Sequence, residues 1–157
     1  MKKTRAYIDT SVFGGCFDEE FSEASNKVIE LLHTGKWVAI VSDIVATELD
    51  KAPQNVKDAY ANLPDDAVED VELDEEAEVL AEEYIKANVI TRASINDAYH
   101  VAMATCARAD VILSWNFKDI VNLTRIRGFN SINIRMGYHE IEIRSPLEVK
   151  YEEEKGV

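Results

Sequence analysis

The sequence predicts one α/β domain, built on a mainly parallel central sheet that carries helices on both faces. Two mostly apolar stretches, residues 37–41 and 109–113, are typical of strands that are buried on both sides. Segments with helical periodicity lie between the predicted strands, which is the order found in parallel α/β folds. A chain of 157 residues, 46% of them hydrophobic, suffices for one ordinary core and is too short for two comfortable domains.

The first half of the chain alternates between strand and helix patterns. Residues 5–11 begin as a short strand rich in β-formers, which ends on Asp9 and turns into small hydroxyl residues. Gly35 ends the second predicted helix, and Pro53 ends the third. The further elements predicted up to residue 73 are helices at 12–21, 25–33, 42–52 and 55–63 and strands at 37–41 and 67–73.

The second half of the chain continues this alternation and ends in a polar tail. Residues 75–87 read as an amphipathic helix with an acidic outer side, and residues 94–108 as an alanine-rich helix that can pack closely against a sheet. A capping-box sequence with proline at the first helical position begins a last helix at Ser145. We predict a domain over residues 1–149 and a polar C-terminal tail over residues 150–157. The remaining predicted elements are a strand at 109–113, a helix that starts within 117–123, and short strands at 132–134 and 141–143.

The net charge of −13 at pH 7 argues at first against a nucleic-acid partner, because affinity for phosphate backbones depends on lysine and arginine. The acidic residues are concentrated, however. Residues 58–85 contain 12 of them and no lysine or arginine, which leaves 18 acidic and 17 basic residues elsewhere. Residues 86–135 carry seven basic and three acidic side chains and can attract phosphate. The acidic segment reads either as a solvated helix face or as a docking surface for a basic partner protein.

The cysteines and the apolar runs indicate a cellular compartment. Cys16 and Cys106 lie far apart and show none of the paired spacings of zinc or thiol redox sites, so a reducing cytoplasm suits them. The basic N-terminus is followed by a short strand rather than by a signal segment. No apolar run approaches the roughly 20 residues that cross a bilayer. We therefore expect a cytoplasmic protein without a membrane partner.

Four carboxylates stand where the predicted fold brings them to one edge of the sheet. Asp9 ends the first strand, and Glu48 lies about two turns along the helix that follows the second strand. Asp97 lies near the start of a later helix, and Asn116 and Asp119 follow the strand at 109–113. Open α/β sheets bind ligands outside the carboxyl ends of their strands. Clustered oxygen ligands of this kind predict a divalent metal site.

Each of these residues also has a structural interpretation. Asp9 can be a turn residue at the end of a strand, and Glu48 can be an ordinary exposed helix residue. Asp97 lies three residues after Ser94, which is the spacing of a capping box. The polar residues after the strand at 109–113 can start a helix. It is the joint occurrence of the set, each member next to an element end, that favours a site.

Two aromatic side chains near these positions have competing interpretations. His100 is three residues beyond Asp97, so it can share its helix face, but a polar core or surface role is favoured over catalysis. Trp115 can stack on a nucleic-acid base, but an aromatic plug at the end of a strand is the commoner use.

Four sequence blocks resemble one known family. They are Tyr-Ile-Asp-Thr-Ser at 7–11, Ser-x5-Glu at 42–48, Asn-Asp-Ala-Tyr-His-Val-Ala at 96–102 and Leu-Ser-Trp-Asn-Phe-Lys-Asp at 113–119. Their order and spacing resemble the PIN-domain family of metal-dependent ribonucleases, and the nearest branch is the toxins of VapC-type toxin–antitoxin pairs. The resemblance covers roughly residues 4–145, essentially the whole chain.

The resemblance implies a site in this chain. Asp9, Glu48 and Asp97 fall on the three principal acidic positions of the family. Ser114 matches a serine or threonine that steadies the site. Asn116 and Asp119 together occupy the variable fourth position, and Asn116 stands where many members have a further aspartate.

The chemistry of this set predicts Mg²⁺ or Mn²⁺, which favour oxygen ligands and shells that retain water and accept phosphate oxygens. We hypothesise that Asp9 and Asp97 bind the ion directly and that Glu48 contacts it or its waters. Asn116 or Asp119 completes or orients the ligand shell. The hydroxyls expected to orient these ligands by hydrogen bonds belong to Thr10, Ser11 and Ser114.

Two functions follow as hypotheses. The first is a metal-dependent endoribonuclease that acts on RNA, is inhibited by a cognate antitoxin protein and, by resemblance, forms a homodimer. The second is a non-catalytic PIN-like module that recruits a basic protein and whose nuclease site has decayed. Candidates for contacts with RNA phosphates are Arg92, Lys118, Arg125 and Arg127.

Overall fold

A five-stranded parallel sheet forms the centre of the molecule, whose computed structural model describes the backbone of residues 2–154 and the side chains of residues 2–151. The strands are β1 (Thr4–Ile8), β2 (Trp37–Ser42), β3 (Val68–Val71), β4 (Val111–Leu113) and β5 (Glu142–Arg144). Their spatial order is β3–β2–β1–β4–β5, and every neighbouring pair is parallel. The predicted α/β architecture is confirmed.

Helices cover both faces of this sheet. Consecutive β1 residues Ala6, Tyr7 and Ile8 are each 0% exposed, which requires cover on both sides because neighbouring side chains of a strand point to opposite faces. Within the described residues the helices are α1 (Thr10–Gly15), α2 (Ser22–His33), α3 (Asp43–Asp50), α4 (Gln54–Ala61), α5 (Glu75–Lys86), α6 (Ile95–Cys106), α7 (Leu123–Arg135) and α8 (Pro146–Glu154), with 3-10 turns at Asp65–Ala67 and Arg92–Ser94.

Local sequence signals explain several helix ends. Gly35 has a φ of +79°, a conformation that favours glycine, and it follows the end of α2. Ser42 ends β2 and caps α3, since its Oγ accepts a hydrogen bond from Val45 N at 3.2 Å. Asp74 caps α5 in the same way through Ala77 N. The three boundaries agree with the sequence prediction to within about two residues.

The strand order changes direction beside β1, and such a place is called a topological switch point. From β1 the chain moves to β2 and β3 on one side, whereas β4 and β5 lie on the other side. The pairing of Ile8 with Leu113 brings the carboxyl ends of β1 and β4 together, and Asp9 N extends it with a hydrogen bond of 3.1 Å to Leu113 O. A crevice at such a point is where open α/β sheets bind ligands.

After β4 one predicted element begins late and another is wrong. The helix expected to start within 117–123 begins only at Leu123, because residues 117–122 form a turn, and the strand expected at 132–134 lies inside α7. The turn forms because the side chain of Asn122 donates to the carbonyl oxygens of Phe117 and Lys118 and then caps α7 through Arg125 N. In α7, Asn133 is fully buried and accepts a hydrogen bond from Tyr84. This polar residue faces inward between two isoleucines of the helix, and the resulting sequence has the apolar–polar–apolar pattern of a strand.

The last helix extends into the segment that was predicted as a polar tail. Helix α8 reaches Glu154, so the first residues of the segment predicted as a tail continue this helix, and residues 155–157 lie outside the described residues. The boundary at residue 149 stays a prediction. Over the described part of the chain, no helix has both the length and the apolar character that crossing a bilayer requires.

Candidate functional site

Asp9 lies at the switch point directly after β1, with 6% of its surface exposed. Its Oδ2 atom accepts hydrogen bonds from Ser11 Oγ at 2.8 Å and from Ser114 Oγ at 2.7 Å. Ser11 belongs to α1 and Ser114 follows β4, so two elements fix the orientation of the carboxylate. The second oxygen, Oδ1, lies 3.6 Å from His100 Nε2.

Glu48 reaches the same point from α3. Its Oε1 atom accepts a hydrogen bond from Thr10 Oγ1 at 2.8 Å and lies 3.0 Å from His100 Nε2. Burial by itself raises the pKa of Glu48, but the hydrogen bond and charge of His100, together with the bond from Thr10, outweigh burial and lower that pKa. Glu48 is therefore ionised at neutral pH.

His100 joins both carboxylates to the core of the domain. The ring lies on α6, is 1% exposed, and its Nδ1 atom is 2.6 Å from the hydroxyl of Tyr7. The Tyr7 hydroxyl is also 2.7 Å from Ser42 Oγ. An ionised carboxylate has no hydrogen to give, so His100 Nε2 carries the hydrogen of its contact with Glu48. The imidazole thus acts as a donor that orients Glu48.

Asp97 is one helical turn before His100, near the start of α6. Its Oδ1 atom accepts a hydrogen bond from Asn116 Nδ2 at 3.2 Å. Burial is the main cause that raises the pKa of Asp97 to about 6, and the negative charges of Asp9 and Asp119 add to it. Since Ser94 makes no side-chain capping hydrogen bond, the capping-box interpretation of Asp97 fails.

Asn116 and Asp119 lie in the turn after β4. Asn116 uses both ends of its amide, because Nδ2 donates to Asp97 while Oδ1 accepts from Asp119 N at 3.0 Å. The Asp119 carboxylate lies 3.5 Å from the guanidinium of Arg125. From this turn Asn116 therefore orients the Asp97 carboxylate on α6, and Asp119 is the member of the turn pair that offers a carboxylate.

The arrangement has the donor set of a site for a hard cation. Ligand atoms of Asp9, Glu48 and His100 all lie within 4.8 Å of one another. His100 Nε2 carries a hydrogen while it donates to Glu48, so the available ligands are carboxylate oxygens, which suit Mg²⁺ or Mn²⁺. A bound cation would also offset the negative charges that contribute to the raised pKa of Asp97. The carboxylates of Asp9 and Glu48 therefore fit such an ion.

The predicted RNA-contact candidates fall into two groups. Arg92 pairs with Glu82 through two hydrogen bonds of 2.8 and 2.6 Å, and Arg125 is held by Asp119 and by the carbonyl oxygen of Val89. By contrast, Lys118 and Arg127 are exposed, and neither has a carboxylate partner among the described residues. These two cations are the more available for phosphate.

Sequence reasoning missed the part played by His100 and Tyr7. His100 is in the core, as its favoured interpretation held, yet the same ring contacts Glu48 and faces Asp9. The spacing of three residues from Asp97 was the signal that could have found it. Tyr7 gave no signal, because an aromatic residue in a buried strand usually serves packing alone.

Comparisons with known proteins support the fold. No protein-family model matches the chain, and no curated protein matches it significantly. Two solved structures align with 90% of this chain and 98% of their own. One is VapBC2 from Rickettsia felis bound to a DNA fragment from their promoter, with 12% identity and a TM-score of 0.57. The other is FitAcB from Neisseria gonorrhoeae, with 13% identity and a TM-score of 0.56. The chain shares their fold. This shared fold agrees with the fold that the sequence resemblance implies.

Proposed function

We propose that this protein is a metal-dependent endoribonuclease that hydrolyses phosphodiester bonds of RNA. The observation that carries the proposal is the meeting of Asp9, Glu48 and His100 at the switch point, with Asp97 coupled to Asp9 by charge. Isolated buried carboxylates are costly, and a site that gathers several of them is a candidate for function.

Asp9, Asp97, Glu48 and Asp119 are the residues that would hold the ion. When bound, Mg²⁺ or Mn²⁺ supplies an acidified water as nucleophile and offsets charge on the phosphate. Neighbouring side chains fix these ligands before RNA arrives. Ser11 and Ser114 hold Asp9 Oδ2 so that Oδ1 faces the shared space, while Thr10 and His100 hold Glu48 Oε1.

The biological role proposed is that of the toxin in a type II toxin–antitoxin pair. The sequence resemblance to VapC-type toxins supports this role, and the shared fold with VapBC2 and FitAcB agrees with it. The proposal includes a cognate antitoxin protein as partner, a homodimer and a cytoplasmic location.

Replacement of one carboxylate tests the activity. Asp9→Asn keeps the shape of the side chain and removes its charge, so we expect RNA cleavage with added Mg²⁺ or Mn²⁺ to be abolished while the circular dichroism spectrum stays unchanged. The matched control is Asp50→Asn, because Asp50 is an exposed residue of the same helix as Glu48 and takes no part in the side-chain contacts of the cluster. Cleavage by Asp9→Asn at the wild-type rate would refute the assignment.

A second candidate function is a binding module for a basic protein. The observation that favours it is a groove of about 390 Å³ along α5, lined by four glutamates together with Val79, Lys86 and Tyr99, and 49% of the surface of Val79 is exposed. The glutamates are Glu75, Glu78, Glu82 and Glu83. On this alternative the wild-type protein cleaves no RNA under any metal condition, whereas the nuclease requires cleavage that Asp9→Asn removes.

A further inference from the structure

Phe117 is an exposed aromatic side chain beside the candidate site. It lies between Asn116 and Asp119 in the turn after β4, and 45% of its surface is exposed. The ring packs edge to face against Trp115, with centroids 6.1 Å apart at 65°. Single exposed apolar residues are ordinary on protein surfaces. The position and support of Phe117 are what distinguish it.

The residues below Phe117 form a rigid base. Trp115 is 7% exposed, stacks on Phe21 at a centroid distance of 4.1 Å and donates from Nε1 to Ser25 Oγ at 2.8 Å. Its burial in this stack agrees with the plug role rather than with contact to a base. Phe117 therefore presents a ring to solvent from a support that is already ordered.

The backbone around Phe117 is equally constrained. Asn122 Nδ2 donates to the carbonyl oxygens of Phe117 and Lys118, each at 2.9 Å. Phe117 N donates to Trp115 O at 2.9 Å, and Ile120 N donates to Asn116 O at 3.1 Å. A ring held in this way loses little conformational entropy when a flat ligand covers it.

An unpaired cation follows the ring directly in sequence. Lys118 is exposed, and its ammonium has no carboxylate within salt-bridge distance among the residues described. An exposed ring and an exposed ammonium on consecutive residues match the two parts of a nucleotide. The ring can stack on the base, and the ammonium can contact the phosphate.

We propose that Phe117 stacks on the base of an RNA nucleotide next to the bond that is cleaved, while Lys118 contacts a neighbouring phosphate. This inference rests on the proposed function and adds a substrate-positioning pair to it. The same turn holds Asn116 and Asp119, and Asn116 contacts Asp97, so Phe117 belongs to the segment that carries one side of the candidate site. An unpaired cation beside the ring favours a nucleotide over an apolar protein surface as the occupant.

A binding experiment with base deletion tests the stacking. The probe is a fluorescent single-stranded RNA oligonucleotide, compared with versions that lack one base at each position in turn, and binding is followed by anisotropy in EDTA so that no cleavage occurs. We expect Phe117→Ala to weaken binding of the intact probe about tenfold, and Phe117→Trp to restore it. For one of the base-deleted probes, the wild-type protein should bind more weakly than it binds the intact probe, by a similar factor. Phe117→Ala should bind that base-deleted probe as tightly as the wild-type protein does.

The matched control is Ile134→Ala, because Ile134 is 56% exposed and lies near the far end of α7. Thermal melting verifies that both variants fold. The proposal is overturned if Phe117→Ala and Ile134→Ala change the affinity for the intact probe equally. It is also overturned if Phe117→Ala weakens the binding of the intact probe and of every base-deleted probe by the same factor. A variant that binds RNA normally but changes its self-association in sedimentation assigns the ring to protein contact and also overturns it.

Kinetics separate this proposal from the proposed function. In cleavage assays Phe117→Ala should raise KM with a smaller effect on kcat, because the ring acts in binding. An unchanged KM for Phe117→Ala, with cleavage still abolished by Asp9→Asn, overturns the stacking proposal and leaves the nuclease standing. Wild-type protein that neither binds nor cleaves RNA overturns both.

Discussion

The carboxylates of the candidate site are held by different kinds of neighbours. Asp9 receives two serine hydroxyls, and Glu48 receives a hydroxyl and an imidazole. Asp97 receives one amide, and burial together with the charges of Asp9 and Asp119 raises its pKa to about 6. Asp97 therefore takes up a proton within the range of mild acid.

Metal affinity should follow the titration of Asp97. Its carboxyl pKa rises from 3.8 to about 6 on folding, so the folded state holds a proton between these values that the unfolded chain has lost. A cation must displace that proton, so we expect Mn²⁺ affinity to increase as pH rises through about 6. Calorimetric titration between about pH 5 and 7.5 measures it.

The raised pKa of Asp97 also determines how the stability of the protein changes with pH. Because the folded state binds the proton more tightly, the contribution of Asp97 to the free energy of unfolding is fully present below pH 3.8 and is lost as pH rises through about 6. Asp97→Asn should remove this decline and flatten the dependence of Mn²⁺ affinity on pH. An Mn²⁺ affinity that falls between about pH 5 and 7 in the wild-type protein would contradict the assignment.

Tyr7→Phe should destabilise the protein, because it leaves His100 Nδ1 and Ser42 Oγ in the core without the hydroxyl between them. We expect a loss of about 1–3 kcal/mol in the free energy of unfolding, measured in urea. Tyr138→Phe is the control, since the Tyr138 hydroxyl donates to Glu76 near the surface and its loss should cost less than about 1 kcal/mol. If both variants lose the same free energy of unfolding, the buried hydrogen bonds of Tyr7 stabilise the protein no more than the bond of Tyr138 near the surface does.

At the residue scale the sequence reveals the acidic side chains but not their supports. Asp9, Glu48 and Asp97 stand next to element ends, which is visible in a pattern of strands and helices. The bond from Tyr7 to His100 joins residues that are 93 positions apart in the chain. No local pattern predicts such a pair, because it depends on how α6 packs against β1.

At the scale of elements, buried strands and amphipathic helices were predictable because each has its own hydrophobic period. The segment after β4 was not, because its structure depends on side chains that bond to backbone. Asn116 and Asn122 together satisfy backbone groups of the turn, and this favours the turn over an early helix. Inside α7, the burial of Asn133 depends on hydrogen bonds with Thr105 and Tyr84, which no local window contains.

Helix α1 packs against the base of the turn through Gly15. A Cβ atom at Gly15 would lie 2.5 Å from both Ser25 Oγ and Trp115 Nε1, which are hydrogen-bonded to each other. We expect Gly15→Ala to lower the free energy of unfolding by about 1–3 kcal/mol. Gly14→Ala is the matched control, because a Cβ there meets nothing within 4 Å, and it should be neutral or stabilise by up to about 1 kcal/mol. Urea unfolding of both variants checks this, and a Gly15→Ala protein as stable as the wild type would contradict the close packing.

At the scale of the whole molecule, charge is divided between two regions. The outer side of α5 carries the glutamates of the groove, whereas the turn after β4 and the start of α7 carry the exposed cations Lys118 and Arg127. A net charge of −13 therefore describes neither region. The overall fold could be predicted because parallel order follows from alternation, but which groups share a site depends on the strand order and on the switch point beside β1.

Thermal melting with added Mn²⁺ tests most directly whether the carboxylates at the switch point hold a divalent cation. At about 100 times the dissociation constant the ion should stabilise the folded state by about 2.7 kcal/mol, a rise of roughly 5–10 °C in the melting midpoint. We expect Asp9→Asn to lose this rise and Asp50→Asn to keep it. No rise in the wild-type protein at millimolar Mn²⁺, or an equal rise in Asp9→Asn, would contradict the account.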